Sequence, residues 1–351
     1  MLEFITEEAD CWDVLKNTEL PVFIYGMGDG AIKIMSVFEK YGIPIAGFFA
    51  SDEFVRGHTF KGHLVHTLSQ IEALIDDFVI VLAFAAGYRS LYDRIFEIAK
   101  RHTLLAPDVP VTGEGLFTRA YCEKNADKLQ AVYDMLADEK SRQTYADVIN
   151  FKISGKIEYL DRCTSDERVY GGLVPISENE VYVDMGAYNG DTALEFLDAC
   201  HGNYSHLYAI EPNPKNFRKL TKALPEDERI TLLNAAAWSG AGTAAVTSGD
   251  GRMCRVGANE KAVAVPAVAA DDVIKEQATL IKLDVEGSER EALLGARRHI
   301  AGGAKLTCSL YHHNEDMFEL PLLIKSMNPK LKFFVRHQLY IPAWETNLYC
   351  I

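Results

Sequence analysis

A glycine-containing segment with an acidic residue at its start carries the clearest chemical signal in this sequence. In VYVDMGAYNGDT, Asp184 comes at the end of a short apolar run, Gly186 follows two residues later, and Gly190 four residues after that. A carboxylate here would repel the phosphates of a dinucleotide, but it suits a ligand that carries an ammonium group near a sulfonium, as S-adenosylmethionine does. We therefore predict a site for this cofactor at Asp184 and the loop after it, comprising Gly186, Ala187, Tyr188, Asn189, Gly190 and Asp191.

Polar residues after the next two apolar runs extend this predicted cofactor site. Glu211 ends the run LYAI, 21 residues after Gly190, where an acid can accept hydrogen bonds from both hydroxyls of a ribose. Pro212 follows it directly. Asn234 and Ala235 end the run LLNA, at the position where an adenine ring would rest.

Two later runs end in groups suited to acid–base chemistry. Asp284 and Glu286 follow LIKL, and Tyr311, His312 and His313 follow TCSL. The carboxyl ends of parallel strands share one edge of a sheet, so we expect these side chains beside the cofactor. A histidine titrates near neutrality, so His312 or His313 is a candidate to take the proton from an attacking hydroxyl. Asp284 is a candidate for the base, for orienting it or for binding the cofactor, and Glu286 and Tyr311 are candidate substrate contacts.

Two alternatives stay open at this edge. Asp284, Glu286 and His312 offer oxygen and nitrogen ligands for a metal ion, but loop and helix-cap hydrogen bonds could satisfy both acids, so we expect no resident metal. Tyr170 precedes the first strand of this half and either closes over the substrate or only packs in the core.

A second glycine motif lies near the N-terminus. IYGMGDGAI places Gly26, Gly28 and Ala31 in the G-x-G-x-x-G/A spacing, and Asp52 follows roughly 20 residues later, as in dinucleotide-binding folds. Any tight strand-to-helix turn produces a similar pattern, and no residues suited to hydride transfer accompany it. Gly26, Gly28 and Asp52 are thus a candidate second nucleotide site. An NAD(P)-dependent oxidoreductase remains an alternative function, as does a protein that binds S-adenosylmethionine without catalysis.

Strands and helices must alternate to position these residues. We predict strands at 21–26, 45–53 and 77–84 in the first part and at 181–185, 206–210, 230–234, 279–284, 305–310, 331–336 and 346–351 in the second. Helices are predicted near 192–201, 214–224, 269–276, 288–300 and 315–327. This order predicts an α/β protein with parallel sheets, except that only RHQLYIPAWETN separates the last two strands, which should pair antiparallel.

Helix N-termini have recognisable signals in the second part. Three pairs of residues have the spacing of a capping box or of an N-cap followed by proline: Thr192 with Glu195, Asn213 with Pro214, and Ser288 with Glu291.

Composition changes near Pro107 and again near Gly155. The stretch between them has no β-branched runs and is rich in Ala, Leu, Lys, Glu and Asp, so we expect solvated helices there. We therefore predict a Rossmann-like domain at 1–106, a helical connector at 107–168 and a cofactor-binding domain at 169–351.

The charge balance excludes several classes of partner. Asp and Glu total 50 against 36 Lys and Arg, giving a formal net charge of −14, which disfavours nucleic acid and membrane surfaces.

The seven cysteines are scattered without C-x-x-C spacing, as expected for reduced thiols in the cytoplasm. The acidic N-terminus lacks the basic region of a secretory signal. We expect a cytoplasmic protein that acts on a small molecule, and a homo-oligomer stays open as an alternative to a monomer.

Several of these segments together resemble the FkbM family of S-adenosylmethionine-dependent methyltransferases. They are VYVDMGAYNGDT, LYAIEPNPKNFRKL, LNAAAWS and IKLDVEGSEREALLGA, the last being close to that family's K-x-D-x-E-G-x-E signature followed by L-x-G-A. The resemblance covers roughly residues 170–351. It implies a class I methyltransferase fold, with a seven-stranded sheet whose last strand is antiparallel, and O-methylation of a hydroxyl on a sugar or a polyketide-like natural product. We expect a small-molecule acceptor, with a sugar or a sugar nucleotide as candidates. The resemblance also implies that Asp184, Gly186, Gly190 and Glu211 contact the cofactor, but it supplies no assigned base. The first half more loosely resembles small Rossmann-like domains attached to some sugar-modifying enzymes.

Overall fold

The chain divides into two compact units. The computed structural model describes residues 2–55, 57, 59–248, 254–256 and 263–351. Unit 1 comprises Met1–Tyr133, Glu139–Ser165 and Arg336–Thr346, and unit 2 comprises Asp134–Asp138, Asp166–Val335 and Asn347–Ile351.

Unit 1 is an α/β unit around a six-stranded sheet. The helices that begin in it are α1 (Cys11–Asn17), α2 (Asp29–Tyr41), α3 (Leu68–Glu72), α4 (Arg89–Ala99), α5 (Arg119–Lys124), α6 (Ala126–Met135), α7 (Glu139–Ser154) and α8 (Glu158–Cys163). Its strands are β1 (Val22–Tyr25), β2 (Gly47–Phe49), β3 (Thr59–Phe60), β4 (His63–His66), β5 (Val79–Leu82) and β6 (Thr103–Leu105). They lie in the order β3-β4-β2-β1-β5-β6, and every residue of β1 and β5 is buried, as in a parallel sheet covered on both faces.

The predicted helical connector differs from the structure. Residues 107–168 group mainly with unit 1, and only 134–138 and 166–168 fall in unit 2. Helix α7 is buried along most of its length and does not present a solvated charged face. Its Lys152 instead forms a buried ion pair with Asp108 at 2.6 Å, and its Asp147 pairs with Arg162. Sequence reasoning missed these pairs because their partners are distant or lie on another helix.

Unit 2 is built on a seven-stranded sheet. The strands of this unit form the seven-stranded sheet and a smaller one. They are β7 (Val181–Met185), β8 (His206–Ile210), β9 (Ile230–Leu233), β10 (Ala236–Ala237), β11 (Gly242–Ser248), β12 (Cys254–Val256), β13 (Val263–Val268), β14 (Leu280–Leu283), β15 (Lys305–Ser309), β16 (Phe333–His337) and β17 (Thr346–Cys350). Its helices are α9 (Asp191–Ala199), α10 (Pro214–Ala223), α11 (Ala270–Val273), α12 (Glu289–Leu294), α13 (Arg297–Ala301) and α14 (Asp316–Met327).

The strand order of the main sheet confirms the predicted fold class. The order is β16-β17-β15-β14-β7-β8-β9, with β14, β15, β7, β8 and β9 parallel to one another and β17 antiparallel to β15. Strand β7 lies between β8 and β14, so the chain leaves it on one side and returns on the other. Open α/β sheets bind ligands beyond the carboxyl ends of the strands at such a switch point.

A smaller four-stranded sheet, in the order β10-β13-β11-β12, was not predicted. The sequence AAAWSGAGTAAVTS is dominated by small residues, which lack the β-branched or aromatic pattern that usually signals a strand.

The helix N-termini follow the predicted signals in part. The Asn213 side chain accepts hydrogen bonds from the backbone N–H groups of Lys215 and Asn216, with Pro214 at the start of α10, as predicted. Ser288 is the N-cap of α12 but makes no capping hydrogen bond through its side chain. Helix α9 begins one residue before Thr192, with Gly190 as its N-cap, so the predicted capping box is absent there.

Within the described residues, no helix combines the length and apolarity needed to cross a membrane.

Candidate active site

The acidic residue at the end of β7 lies inside the fold. Asp184 is fully buried, accepts a hydrogen bond from the Thr192 hydroxyl at 2.6 Å, and lies 3.2 Å from Nζ of Lys282. Lys282 also donates to the carbonyl oxygen of Gly186 at 2.8 Å. Asp184 thus supports the predicted cofactor loop from beneath, and Thr192, which was expected to cap a helix, holds this carboxylate instead.

Lys282 is a charged residue of this site that sequence reasoning missed. Burial disfavours its charged form, but the carboxylates of Asp184 and Asp284 outweigh that effect and raise the pKa of Lys282. A lysine inside the buried strand β14, between apolar neighbours, was the available signal.

The backbone conformation of the loop after β7 explains why glycine occupies positions 186 and 190. Gly186 has φ +82° and Gly190 has φ +93°, a region that other residues rarely adopt. A Cβ on Gly186 would overlap the carbonyl oxygen of Asp284. The loop therefore lies directly against the end of β14, where the predicted reactive residues begin.

The remaining residues of the loop after β7 differ in solvent exposure. Ala187 is buried, whereas Tyr188 and Asn189 are half-buried and Asp191 is exposed as the first residue of α9. Tyr188 is the non-glycine residue of this loop with positive φ, +45°.

Glu211 lies at the end of β8 and joins two loops. One carboxylate oxygen accepts a hydrogen bond from the Tyr188 N–H at 2.9 Å, and the other accepts one from the Asn213 N–H at 2.8 Å. Burial raises the pKa of Glu211 to about 7, although these two backbone hydrogen bonds oppose the shift. The predicted ribose-binding acid is therefore close to the predicted glycine loop and titrates near neutrality.

Residues at the end of β9 lie close to the end of β8, where Glu211 is located. The amide of Asn234 donates to the carbonyl oxygens of Glu211 at 2.8 Å and Pro212 at 3.2 Å, and Ala235 is buried beside it. The residues predicted to flank adenine are thus tied to the end of β8.

Asp284 lies just beyond β14, and its side chain is 34% exposed. Its Oδ1 accepts a hydrogen bond from the Tyr311 hydroxyl at 3.1 Å and lies 3.5 Å from Nε2 of His312. Partial burial would raise the pKa of Asp284, but the positive charges of Lys282 and His312 outweigh it and hold the pKa below its usual value. Asp284 is therefore an ionised, accessible carboxylate.

His312 is buried among carboxylates. Its Nδ1 lies 2.9 Å from Oε1 of Glu289, and its Nε2 lies 3.5 Å from Oε2 of Glu286. Burial alone would lower the pKa of His312, but these carboxylates outweigh it and raise the pKa well above the usual value. The shift favours the protonated ring, which cannot accept a further proton, so His312 is less suited to the general-base role for which it was a candidate.

Glu289, the buried partner of His312, is a second residue that sequence reasoning missed. It is the final acid of the K-x-D-x-E-G-x-E signature, so its spacing was the available signal.

His313 contacts groups on two loops. Its backbone N–H donates to a carboxylate oxygen of Asp316 at 2.7 Å, and its ring Nε2 lies 3.1 Å from the carbonyl oxygen of Gly287. Burial, together with the nearby charge of Glu289, raises the pKa of Asp316 to about 8. His313 therefore links the loop after β15 to the loop before α12.

Tyr170 packs in the core, which corrects its assignment as a substrate contact. It is buried with Phe196 in one apolar cluster, and its hydroxyl lies 3.1 Å from the Tyr182 hydroxyl. An aromatic ring enclosed in this way has no free face for a ligand.

The first glycine motif, in unit 1, has a packing explanation. Gly26 has φ +116°, and a Cβ there would lie 2.7 Å from a carbon of the Phe84 ring. Gly28 is the N-cap of α2, and Asp52 is exposed in a short 3-10 turn. Close approach of Phe84 therefore accounts for glycine at position 26 without a phosphate.

A family model and one solved structure agree with this architecture, and other solved structures show weaker similarity. Residues 184–314 match the family model described as the methyltransferase FkbM domain. The crystal structure of methyltransferase FkbM from Methylobacillus flagellatus KT is similar over 99% of this chain and 95% of that chain, with 23% sequence identity and a TM-score of 0.74. Fibrillarin from Aeropyrum pernix, solved with natively bound S-adenosyl-L-methionine, is similar over 52% of this chain and 71% of its own, with 14% identity and a TM-score of 0.33. The search of curated proteins found no match. Residues 184–314 of this chain are therefore similar to the methyltransferase FkbM domain, and the chain has the fold of class I methyltransferases.

Proposed function

We propose that this chain transfers a methyl group from S-adenosylmethionine to a hydroxyl oxygen of a sugar or another natural product. One observation carries the proposal. The glycine loop, Glu211 and Asp284 converge at the switch point of the main sheet, inside the matched domain.

The chemistry of Glu211 fits the cofactor. An ionised carboxylate offers about four acceptor positions, and backbone N–H groups use one on each oxygen. The remaining positions suit the two hydroxyls of a ribose, both of which are donors. Asn234 and Ala235 hold the adjoining loop, where we assign the adenine.

The glycine loop fits the methionine part. Because Gly186 has no side chain, the loop can lie against the end of β14, which brings it next to Asp284. We assign Asp184 and Lys282 to fixing the shape of this loop, since their charges are paired with each other inside the fold.

When bound, the cofactor supplies a methyl group already activated by the sulfonium, so the protein mainly has to position the acceptor. Good orientation of two reactants accounts for roughly 7–11 kcal/mol of a reaction barrier. We assign this role to Asp284, whose ionised carboxylate accepts a hydrogen bond from the acceptor hydroxyl. Tyr311 donates to the same carboxylate and fixes its direction, and Glu286 lines the acceptor side.

Two measurements test the proposal. Mass spectrometry of the purified chain should find S-adenosylmethionine or its demethylated product, and labelled S-adenosylmethionine should transfer its methyl group to a member of a sugar and sugar-nucleotide panel. Bound NAD without any affinity for S-adenosylmethionine would contradict the proposal and favour an oxidoreductase. Binding of S-adenosylmethionine with transfer only to nitrogen or carbon acceptors would contradict O-methylation alone.

A further inference from the structure

Three side chains near the carboxyl ends of β14 and β15 have the spacing of a metal site. One nitrogen or oxygen atom from each of Asp284, Glu289 and His312 lies within 4.8 Å of the other two. Ligand atoms about 2.0–2.2 Å from a cation lie at most about 4.4 Å apart when they are on opposite sides of it. The three atoms are therefore already close to the spacing of one coordination shell.

Glu289 provides a second, independent observation. Its side chain is 1% exposed, and its Oε1 accepts a hydrogen bond from the Val285 N–H at 2.9 Å. Its other oxygen, Oε2, is buried and accepts no hydrogen bond from any residue that the structure describes. A buried acceptor without a partner is costly, and a bound cation would satisfy it.

The cluster is also accessible from one side. His312 and Glu289 are enclosed, whereas the side chains of Asp284 and Glu286 are 34% and 25% exposed. Oε2 of Glu286 lies 3.5 Å from Nε2 of His312 and adds a carboxylate at this open side. An ion could enter there and keep a coordination position for an oxygen of a small molecule.

We propose that Asp284, Glu289 and His312 bind one divalent cation, with Glu286 at its open side. The donor set has carboxylate oxygens and one imidazole but no thiolate, which suits a hard or intermediate cation such as Mn²⁺. The cation would displace the proton that the carboxylates otherwise hold on His312. This revises our expectation from the sequence that the protein has no resident metal. The site itself does not depend on the proposed function.

One consequence of the site does rest on the proposed function. A divalent cation at this edge would bind the acceptor's hydroxyl oxygen and favour loss of its proton to solvent. That oxygen then forms the new bond to the methyl carbon, while the bond from this carbon to sulfur breaks and leaves its electron pair on sulfur. Charge and atoms balance without any further reactant.

Titration with Mn²⁺ tests the site directly. We expect the metal-stripped full-length chain to bind one Mn²⁺ saturably, as measured by loss of the free-ion signal in electron paramagnetic resonance. Glu289→Gln and Asp284→Asn should each weaken binding by at least the roughly 10–100-fold seen when a supporting partner of a metal ligand is lost. Glu291→Gln is the matched control, because Glu291 lies on the same helix but contacts Ser239 instead, and it should bind Mn²⁺ like the unmodified chain.

Two results would overturn the metal site. They are the absence of saturable Mn²⁺ binding to the unmodified chain, and unchanged binding in folded Glu289→Gln or Asp284→Asn, with folding checked by circular dichroism. Calorimetry with S-adenosylmethionine separates this outcome from failure of the proposed function. A chain that binds the cofactor but no Mn²⁺ refutes only the metal site, and one that binds Mn²⁺ but no cofactor refutes only the proposed function.

Discussion

At the residue scale, burial brings the pKa of Glu211 close to neutral pH. Its pKa of about 7 results from burial, partly opposed by the backbone N–H groups of Asn213 and Tyr188. Ribose hydroxyls donate hydrogen bonds and therefore favour the ionised carboxylate, so the bound state should have a lower pKa than the free protein. The ribose contact proposed for Glu211 therefore predicts that cofactor affinity depends on pH near neutrality.

We predict that the affinity for S-adenosylmethionine rises from about pH 6 to about pH 8 and then levels off, changing by up to tenfold per unit below the pKa of free Glu211. Below that pKa, binding requires the loss of a proton, which weakens it. Glu211→Gln should abolish this dependence and weaken binding at the upper pH by roughly tenfold or more, since hydrogen bonds to a charged group contribute about 1.5–3 kcal/mol. Calorimetry at several pH values measures both effects, with exposed Glu226→Gln as the control. A flat profile in the unmodified chain would remove Glu211 from the site.

Gly186 and Gly202 form a matched pair for testing the close approach of the loop to β14. Both have positive φ, +82° and +78°, but a Cβ on Gly202 meets no described atom within 4 Å, whereas one on Gly186 overlaps the Asp284 carbonyl oxygen. We predict that Gly186→Ala lowers the free energy of unfolding by about 1–3 kcal/mol more than Gly202→Ala does, as overpacking typically does. Urea unfolding of both variants measures the difference, and equal losses would mean that backbone conformation alone explains glycine at position 186.

At the element scale, much of unit 2 could be predicted because its strands are continuous apolar runs with polar ends. The predicted strands 181–185 and 206–210 coincide with β7 and β8, and the rule that parallel strands share a carboxyl edge brought Glu211 and Asp284 to the correct side of the sheet. The contacts of individual side chains were less predictable. The pairing of Lys282 with Asp184 depends on strands about 100 residues apart in sequence, and no local pattern encodes it.

Helix capping offers a test at this scale. Asn213 accepts two backbone hydrogen bonds at the start of α10, whereas the Ser288 side chain makes none at the start of α12. We predict that Asn213→Ala lowers the free energy of unfolding by about 1 kcal/mol and that Ser288→Ala lowers it less. Urea unfolding with a common slope would measure both values. A larger loss from Ser288→Ala would show that Ser288 stabilises the fold through contacts other than capping.

At the scale of the whole molecule, the chain alternates between its two units. Unit 2 takes residues 134–138 from within the helical stretch, and unit 1 takes residues 336–346, from the last residues of β16 to the first residue of β17. Composition could not predict this exchange of segments between the units. A change in residue content can indicate a boundary along the chain, but it does not indicate which unit a short segment packs into.

This path predicts that the second half does not fold independently, although composition predicted a separate cofactor-binding domain at 169–351. A fragment of residues 154–351 would lack Leu136 and Ala137, which pair with Phe333 within unit 2. It would also expose Ile341, which is fully buried and pairs with Ala86 within unit 1. We expect this fragment to be insoluble or to unfold at a lower urea concentration than the full chain, because buried apolar side chains typically contribute about 1.5–3 kcal/mol each. Size-exclusion chromatography, urea unfolding and cofactor calorimetry on both proteins measure this. A soluble fragment that binds S-adenosylmethionine as tightly as the full chain would instead establish that the residues from 154 onward fold alone.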